Sequence, residues 1–265
     1  MKLLRRITAL TLTFLLFASG ATAAKKNTKP VARAITTEVI QDVPETIQQM
    51  LDLARNEWQE TNGQDLKEKN KYTKWRNDYP YGWCGGFITW LMLEMGIPQQ
   101  VKNKTPREEV EGLVHVKEAG VGKLYDGYAR MNRITRIPQK GFIVVFGTEK
   151  FRKSGATPYY HVGLVYDVEK LEEGKYRLTT IEGNVTSPGD STHEKVGHTV
   201  RMYIRDYTLP ETDKDKKTDL TLVPEDERTE EESALFSYHY TYENDKQYVT
   251  IFLMPWIPEE GASEE

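Results

Sequence analysis

The apolar residues of this 265-residue chain change their period once, near Gly141, and that change limits the fold more than any other feature. Before it, PETIQQMLDLARNEWQE sets Ile47, Met50, Leu51, Ala54 and Trp58 at three- and four-residue spacing. This predicts an amphipathic helix from Pro44 to about Asn62-Gly63, with Asp42 as its cap. WCGGFITWLMLEMGIP is apolar almost throughout, predicts a buried helix opening at Cys84, and stops at Gly96 and Pro98. Two shorter helices are expected around 107–119 and 122–132. After Gly141 the runs shorten to strand length: FIVVF (142–146), HVGLVYDV (161–168), YRLTTIEGN (176–184) and HTVRMYIRDY (198–207). EKLEEGK joins the second and third as a hairpin. ALFSYHYTY and QYVTIFLMPW flank Glu243-Asn244-Asp245-Lys246 as one more. Helices first and an antiparallel meander after them predict an α+β fold, with N-terminal helices packed on an antiparallel sheet and a C-terminal β-hairpin extension.

The first segment, MKLLRRITALTLTFLLFASGATAA, runs from basic to apolar to small residues, the order of a secretory signal cleaved near Ala23. Its apolar stretch is too short for a membrane span, and no later one approaches the roughly 18 residues that spanning requires. The expected product is an exported chain, secreted or periplasmic, with no membrane span after signal cleavage. The expected division is 1–23 signal, 24–42 a polar linker, 43–207 the main folded domain, and 208–265 an acidic loop, β-hairpin extension and acidic tail. Without its signal the chain has 33 basic and 40 acidic residues, a net of −7. The excess belongs to residues 211–232 and the tail, so 34–210 are neutral, and nothing in the total or its distribution supports a basic face for nucleic acid.

Cys84 is the sole cysteine, which excludes an internal disulfide and any multi-thiolate metal site. It opens a helix, where free N–H groups and the positive helix end favour thiolate. Gly85 and Gly86 leave room beside it. Of five histidines, His161 begins a strand after the TPYY loop, and Gly163, two residues on, keeps that face open. On the next strand a period of two sets Leu178, Thr180, Glu182 and Asn184 on one face. Either Glu182 or Asn184 could accept the imidazole Nδ1–H and fix its tautomer, as the third member of a triad does. Other patterns fail on spacing. HEKVGH (193–198) separates its histidines by five where a zinc-protease helix needs four, and DKDKKTD (213–219) lacks the glycine and distal glutamate of a calcium loop. Asn103-Lys-Thr and Asn184-Val-Thr match glycosylation sequons by pattern only. No metal or cofactor is expected.

NKYTKW (70–75), YGWCGGFITWLMLEMGIP (81–98), PQKGFIVVF (138–146), HVGLVYDV and TIEGN (180–184) together resemble the CHAP family of cysteine- and histidine-dependent amidohydrolases/peptidases, over about residues 45–205. The resemblance implies a papain-like core, Cys84 as nucleophile, His161 as base, and Glu182 with Asn184 as orienting or polar site residues. It also implies a substrate, the peptide part of peptidoglycan, cut as an N-acetylmuramoyl-L-alanine amidase or an endopeptidase. Gly141-Phe142 stands where relatives often have Gly-Asp. Trp75, Tyr79, Tyr81, Trp83 and Tyr160 lie close in sequence to the expected cleft, and Tyr81, Trp83, Gly85 and Tyr160 are the candidate substrate contacts. Two rival readings are a non-catalytic CHAP-like wall-binding protein and a papain-like hydrolase of another amide or protein. Protein partners and the role of 208–265 are open.

Overall fold

A computed structural model describes residues 40–61, 64–77, 82–100, 110–148, 159–187, 196–210, 220–222 and 247–259. The expected signal, most of the linker, all of the acidic loop but 220–222, the first half of the expected C-terminal hairpin, residues 260–265 of the tail, and Tyr79 and Tyr81 lie outside the described residues. The fold is α+β: three helices packed against an antiparallel sheet of six main strands and one short edge strand, with a small parallel pair beside it.

Helix α1 (Glu45–Thr61) starts where Pro44 ends the extended lead-in, its first turn closed by the Ile47 N–H donating to the Pro44 carbonyl at 2.8 Å. It buries Ile47, Met50, Leu51, Ala54 and Trp58, the stripe set by the sequence spacing. Glu57 is buried with them. Tyr72 donates to it at 2.5 Å and Lys71 at 2.7 Å, which ties the segment before the second helix to α1. Helix α2 (Cys84–Glu94) is apolar all round and lies between the sheet, α1 and α3 (Val121–Arg130).

Residues 110–119 form no helix. His115–Val116 make strand β2, paired in parallel with β1 (Gln99–Gln100). Val114, His115 and Val116 are all buried in succession, a pattern that suits a short covered strand better than a one-sided helix. The His115 ring lies between the Thr89 hydroxyl and the Tyr128 hydroxyl, each 2.9 Å away. Burial pushes its pKa down to about 3, so it is a neutral core group.

The main strands are β3 (Ile134–Thr135), β4 (Ile143–Thr148), β5 (His161–Glu172), β6 (Lys175–Ser187), β7 (Val196–Thr208) and β9 (Gln247–Leu253). The three-residue β8 (Leu220–Leu222) adds to one edge, giving the order β3-β9-β4-β5-β6-β7-β8. The C-terminal strand β9 is therefore part of the main sheet and not an extension added to its edge. It enters between β3 and β4, with Val144 opposite Phe252 and Ile134 opposite Leu253. Ile251, Phe252 and Leu253 are consecutive and buried, and a strand covered on both faces belongs in a sheet's interior. The sheet also curls. The Tyr207 ring on β7 sits 5.4 Å from Phe252 on β9, and its hydroxyl donates to the Arg136 carbonyl at 2.8 Å.

Helix α2 crosses β5 and β6 at very short range. A β-carbon built on Gly183 would fall 2.6 Å from Phe87 Cβ and 2.7 Å from Trp83 Cζ3. Gly183→Ala is expected to cost about 1–3 kcal/mol through overpacking, measured by urea unfolding. Unchanged stability would show that the helix and strand are not in this contact.

Candidate active site

Cys84 is the first residue of α2 and His161 the first of β5, so the docking of that helix end on that strand end brings sulfur and imidazole together. The Cys84 side chain is hydrogen-bonded to His161, and the backbone N–H groups of Val162 and Gly85 also donate to the sulfur. Burial alone would push the thiol up. The imidazole and the two N–H groups outweigh it and hold the thiol below its ordinary value.

The other side of the ring is occupied by Glu182. His161 Nε2 lies 3.0 Å from Glu182 Oε2. This corrects the expectation that the third group takes Nδ1–H: the carboxylate takes Nε2, which leaves Nδ1 for the sulfur. Burial disfavours the imidazolium, yet the bonds to Cys84 and Glu182 and their charges prevail and raise the His161 pKa. Phe146, the cross-strand partner of His161, stacks on the ring at 5.9 Å with planes 20° apart.

Glu182 is 2% exposed, and its second oxygen is also held. Oε1 accepts from the Thr180 hydroxyl at 2.6 Å and from Arg205 Nη1. The same Nη1 donates to Thr180 Oγ1 at 2.9 Å. The Arg205 guanidinium stands 4.4 Å from the Tyr203 ring centroid and 5.0 Å from that of Phe146. Burial works to raise the Glu182 pKa, but Arg205 and then His161 keep the carboxyl well below its usual range. Cys84, His161, Glu182 and Arg205 thus form a line of four buried ionisable groups, in which the Glu182 carboxylate has His161 on one oxygen and Arg205 on the other to replace lost water.

Gly163 makes this line possible. A β-carbon there would lie 2.7 Å from Glu182 Cγ, so the glutamate side chain reaches His161 across a strand position with no side chain. Asn184 takes a different course. Its Oδ1 is 2.7 Å from His198 Nδ1, and Asn184 and His198 have φ of +59° and +55°. The β6–β7 register shifts between Glu182 and Val185, so strict alternation, and with it the shared face of Glu182 and Asn184, ends there. Glu182 is therefore the imidazole's partner, and Asn184 belongs to a second contact beside the site.

The expected substrate contacts separate. Tyr160 is 41% exposed, with its ring 6.3 Å from that of His161. Trp83, by contrast, has no exposed surface. It packs on Tyr72 at 5.1 Å and donates its indole N–H to the Lys67 carbonyl, so it secures the turn before Cys84. Gly85 leaves no room for a substrate: a β-carbon there would lie 2.2 Å from the Ala119 carbonyl oxygen, and its function is helix packing. Trp75 bonds the Gly86 carbonyl at 3.2 Å and lines a shallow hollow with Arg76 and Ala119. Tyr81 lies outside the described residues.

The strand period places Thr180 on the face of Glu182 without giving it a role, and it does not single out Arg205. A signal for Arg205 existed, because RMYIRDY puts Arg201, Tyr203 and Arg205 on one face of a strand otherwise rich in apolar residues, and a covered arginine requires an acceptor. Among the described residues no group of three or more His, Cys, Asp or Glu is placed to hold a metal, and no helix is long and apolar enough to cross a membrane. No protein-family model, curated protein or solved structure matches the chain.

The depressed pKa of Glu182 links the site to stability. A group with a lowered folded-state pKa contributes stability above its unfolded value and loses it as pH falls through the folded one. The stability advantage of wild type over Glu182→Gln in urea unfolding should be widest near neutral pH and shrink as pH falls below the ordinary carboxylate range. A difference independent of pH would contradict the ionised, buried Glu182.

Proposed function

We propose that the chain is a cysteine-dependent amide hydrolase with a papain-like core of the CHAP type, and that it cuts an amide bond in the peptide part of peptidoglycan. The observation that carries this reading is the line Cys84–His161–Glu182, in which a thiol at a helix start is bonded to a histidine oriented by a buried carboxylate. The resemblance of WCGG, HVG and EGN to that family supports the substrate class, as does an N-terminal segment with the features of an export signal.

Each step follows from the charge order. The Cys84 thiolate attacks the scissile carbonyl carbon, and the carbonyl electrons move to oxygen, where the Cys84 backbone N–H at the start of α2 is a donor. The tetrahedral adduct collapses as the imidazolium gives its proton to the departing amine nitrogen, which leaves a thioester and a neutral His161. Water then attacks the thioester while His161 takes its proton. The acid product leaves and the thiolate–imidazolium pair returns. Glu182 stays ionised throughout and holds the ring in one orientation. Tyr160, exposed beside His161, is the described aromatic best placed to meet a substrate.

The test is to incubate the chain lacking residues 1–23 with purified peptidoglycan and analyse the fragments, with Cys84→Ala as control. New amino termini are expected with wild type only, and their position separates amidase from endopeptidase. Binding to sacculi without cleavage by either form would overturn the hydrolase in favour of a wall-binding protein. Turnover of other peptides with intact wall would retain the chemistry and overturn the substrate.

A further inference from the structure

We infer that Arg205 is a positioning residue of this site: by holding Glu182 Oε1 together with Thr180, it fixes the carboxylate that orients His161 and so sets the pH range over which Cys84 is a thiolate. The inference rests on Cys84 being the nucleophile and is independent of the substrate.

The argument begins with the freedom of a glutamate. A carboxylate has two equivalent oxygens on a torsion that turns broadly, so one bond to an imidazole does not fix the plane of the group. At Glu182 the second oxygen is held by two donors from different strands, Thr180 on β6 and Arg205 on β7. Oε2 is then the oxygen left for His161 Nε2. Arg205 is itself fixed, since its guanidinium lies between the Tyr203 and Phe146 rings and also donates to Thr180. Phe146 continues to the imidazole it stacks on, so Arg205 supports His161 through a ring as well as through a charge.

The ionisable groups around Glu182 are few. His161 faces it from β5, with Cys84 of α2 beyond the ring. From β7 come Arg205, the Tyr203 phenol beside that guanidinium, and Arg201, which lies across from Glu182 in the register. Arg205 is the strongest influence holding Glu182 ionised, and burial opposes it. Without the guanidinium, burial prevails and Glu182 binds its proton at higher pH. A neutral Glu182 no longer balances the imidazolium, and the thiolate loses its counter-ion as pH falls. The acidic limb of Cys84 reactivity therefore moves up. Lysine keeps the charge, but its single ammonium does not reproduce a planar group that stacks on two rings.

The readout is the pH profile of Cys84 alkylation by iodoacetamide, which needs no substrate. Wild type, Arg205→Met, Arg205→Lys, Glu182→Gln and the double variant Glu182→Gln/Arg205→Met are compared, with near-UV circular dichroism to follow folding. Arg205→Met should move the acidic midpoint up by about one pH unit, about tenfold in rate on that limb, and Arg205→Lys should move it by less. Glu182→Gln and the double variant should superimpose, because Arg205 acts through Glu182. The double variant also leaves neither charge buried alone. An Arg205→Met profile that superimposes on wild type, or an equal shift on adding Arg205→Met to Glu182→Gln, would overturn the inference. If Arg205→Met does not fold, Arg205→Lys carries the comparison, with an upward shift supporting the inference and an unmoved midpoint overturning it. Wild type without enhanced alkylation at acidic pH would instead remove the nucleophile reading on which the inference rests.

Discussion

The carboxylate of Glu182 has almost no access to water, and a charge in that position must be balanced by groups already in place. Four elements are fixed by that requirement. Strand β5 brings His161 to one oxygen, while β6 and β7 bring Thr180 and Arg205 to the other. Beyond the imidazole, α2 brings Cys84. Opposite neighbours along this line let ions persist where isolated ones would neutralise, and they hold the thiol pKa below its ordinary value.

Such a line needs backbones to approach closely, and glycines provide it. Gly163 gives Glu182 its path across β5, and Gly183 lets α2 settle on β6. The curl of the sheet contributes as well. Phe146, His161, Thr180, Glu182, Tyr203 and Arg205 share one face through the register of four neighbouring strands, and curvature gathers that face around the guanidinium. Trp83 and Tyr72 act on the opposite side by fixing the turn from which Cys84 emerges.

Much of this was legible in the sequence where short-range periodicity governs. Helices α1 and α2 and strands β5, β6 and β7 fall close to where apolar spacing puts them, because each buries a face that repeats at its own period. The two-residue strands β1, β2 and β3 are too short to carry a period. Strand β9 was readable as a strand but not in its place, since strand order depends on contacts more than a hundred residues apart. Cys84, His161 and Glu182 could be found from residue type and position. The choice between Glu182 and Asn184 required the left-handed residues and register shift that strict alternation cannot anticipate. Trp83 and Gly85 read as substrate contacts because they adjoin Cys84 in sequence, yet at a helix start successive side chains point about 100° apart and theirs turn into the core. Arg205 was missed because its partner lies on another strand.

The proposed chemistry requires that Cys84 rest as a thiolate paired with His161. The most direct measurement is the far-ultraviolet thiolate absorbance, taken as wild type minus Cys84→Ala and followed against pH. A thiolate–imidazolium pair gives a difference signal present at neutral pH and retained well into the acidic range, and His161→Ala loses it there. A signal that appears only as pH rises through the ordinary thiol range, unchanged by loss of His161, would contradict it.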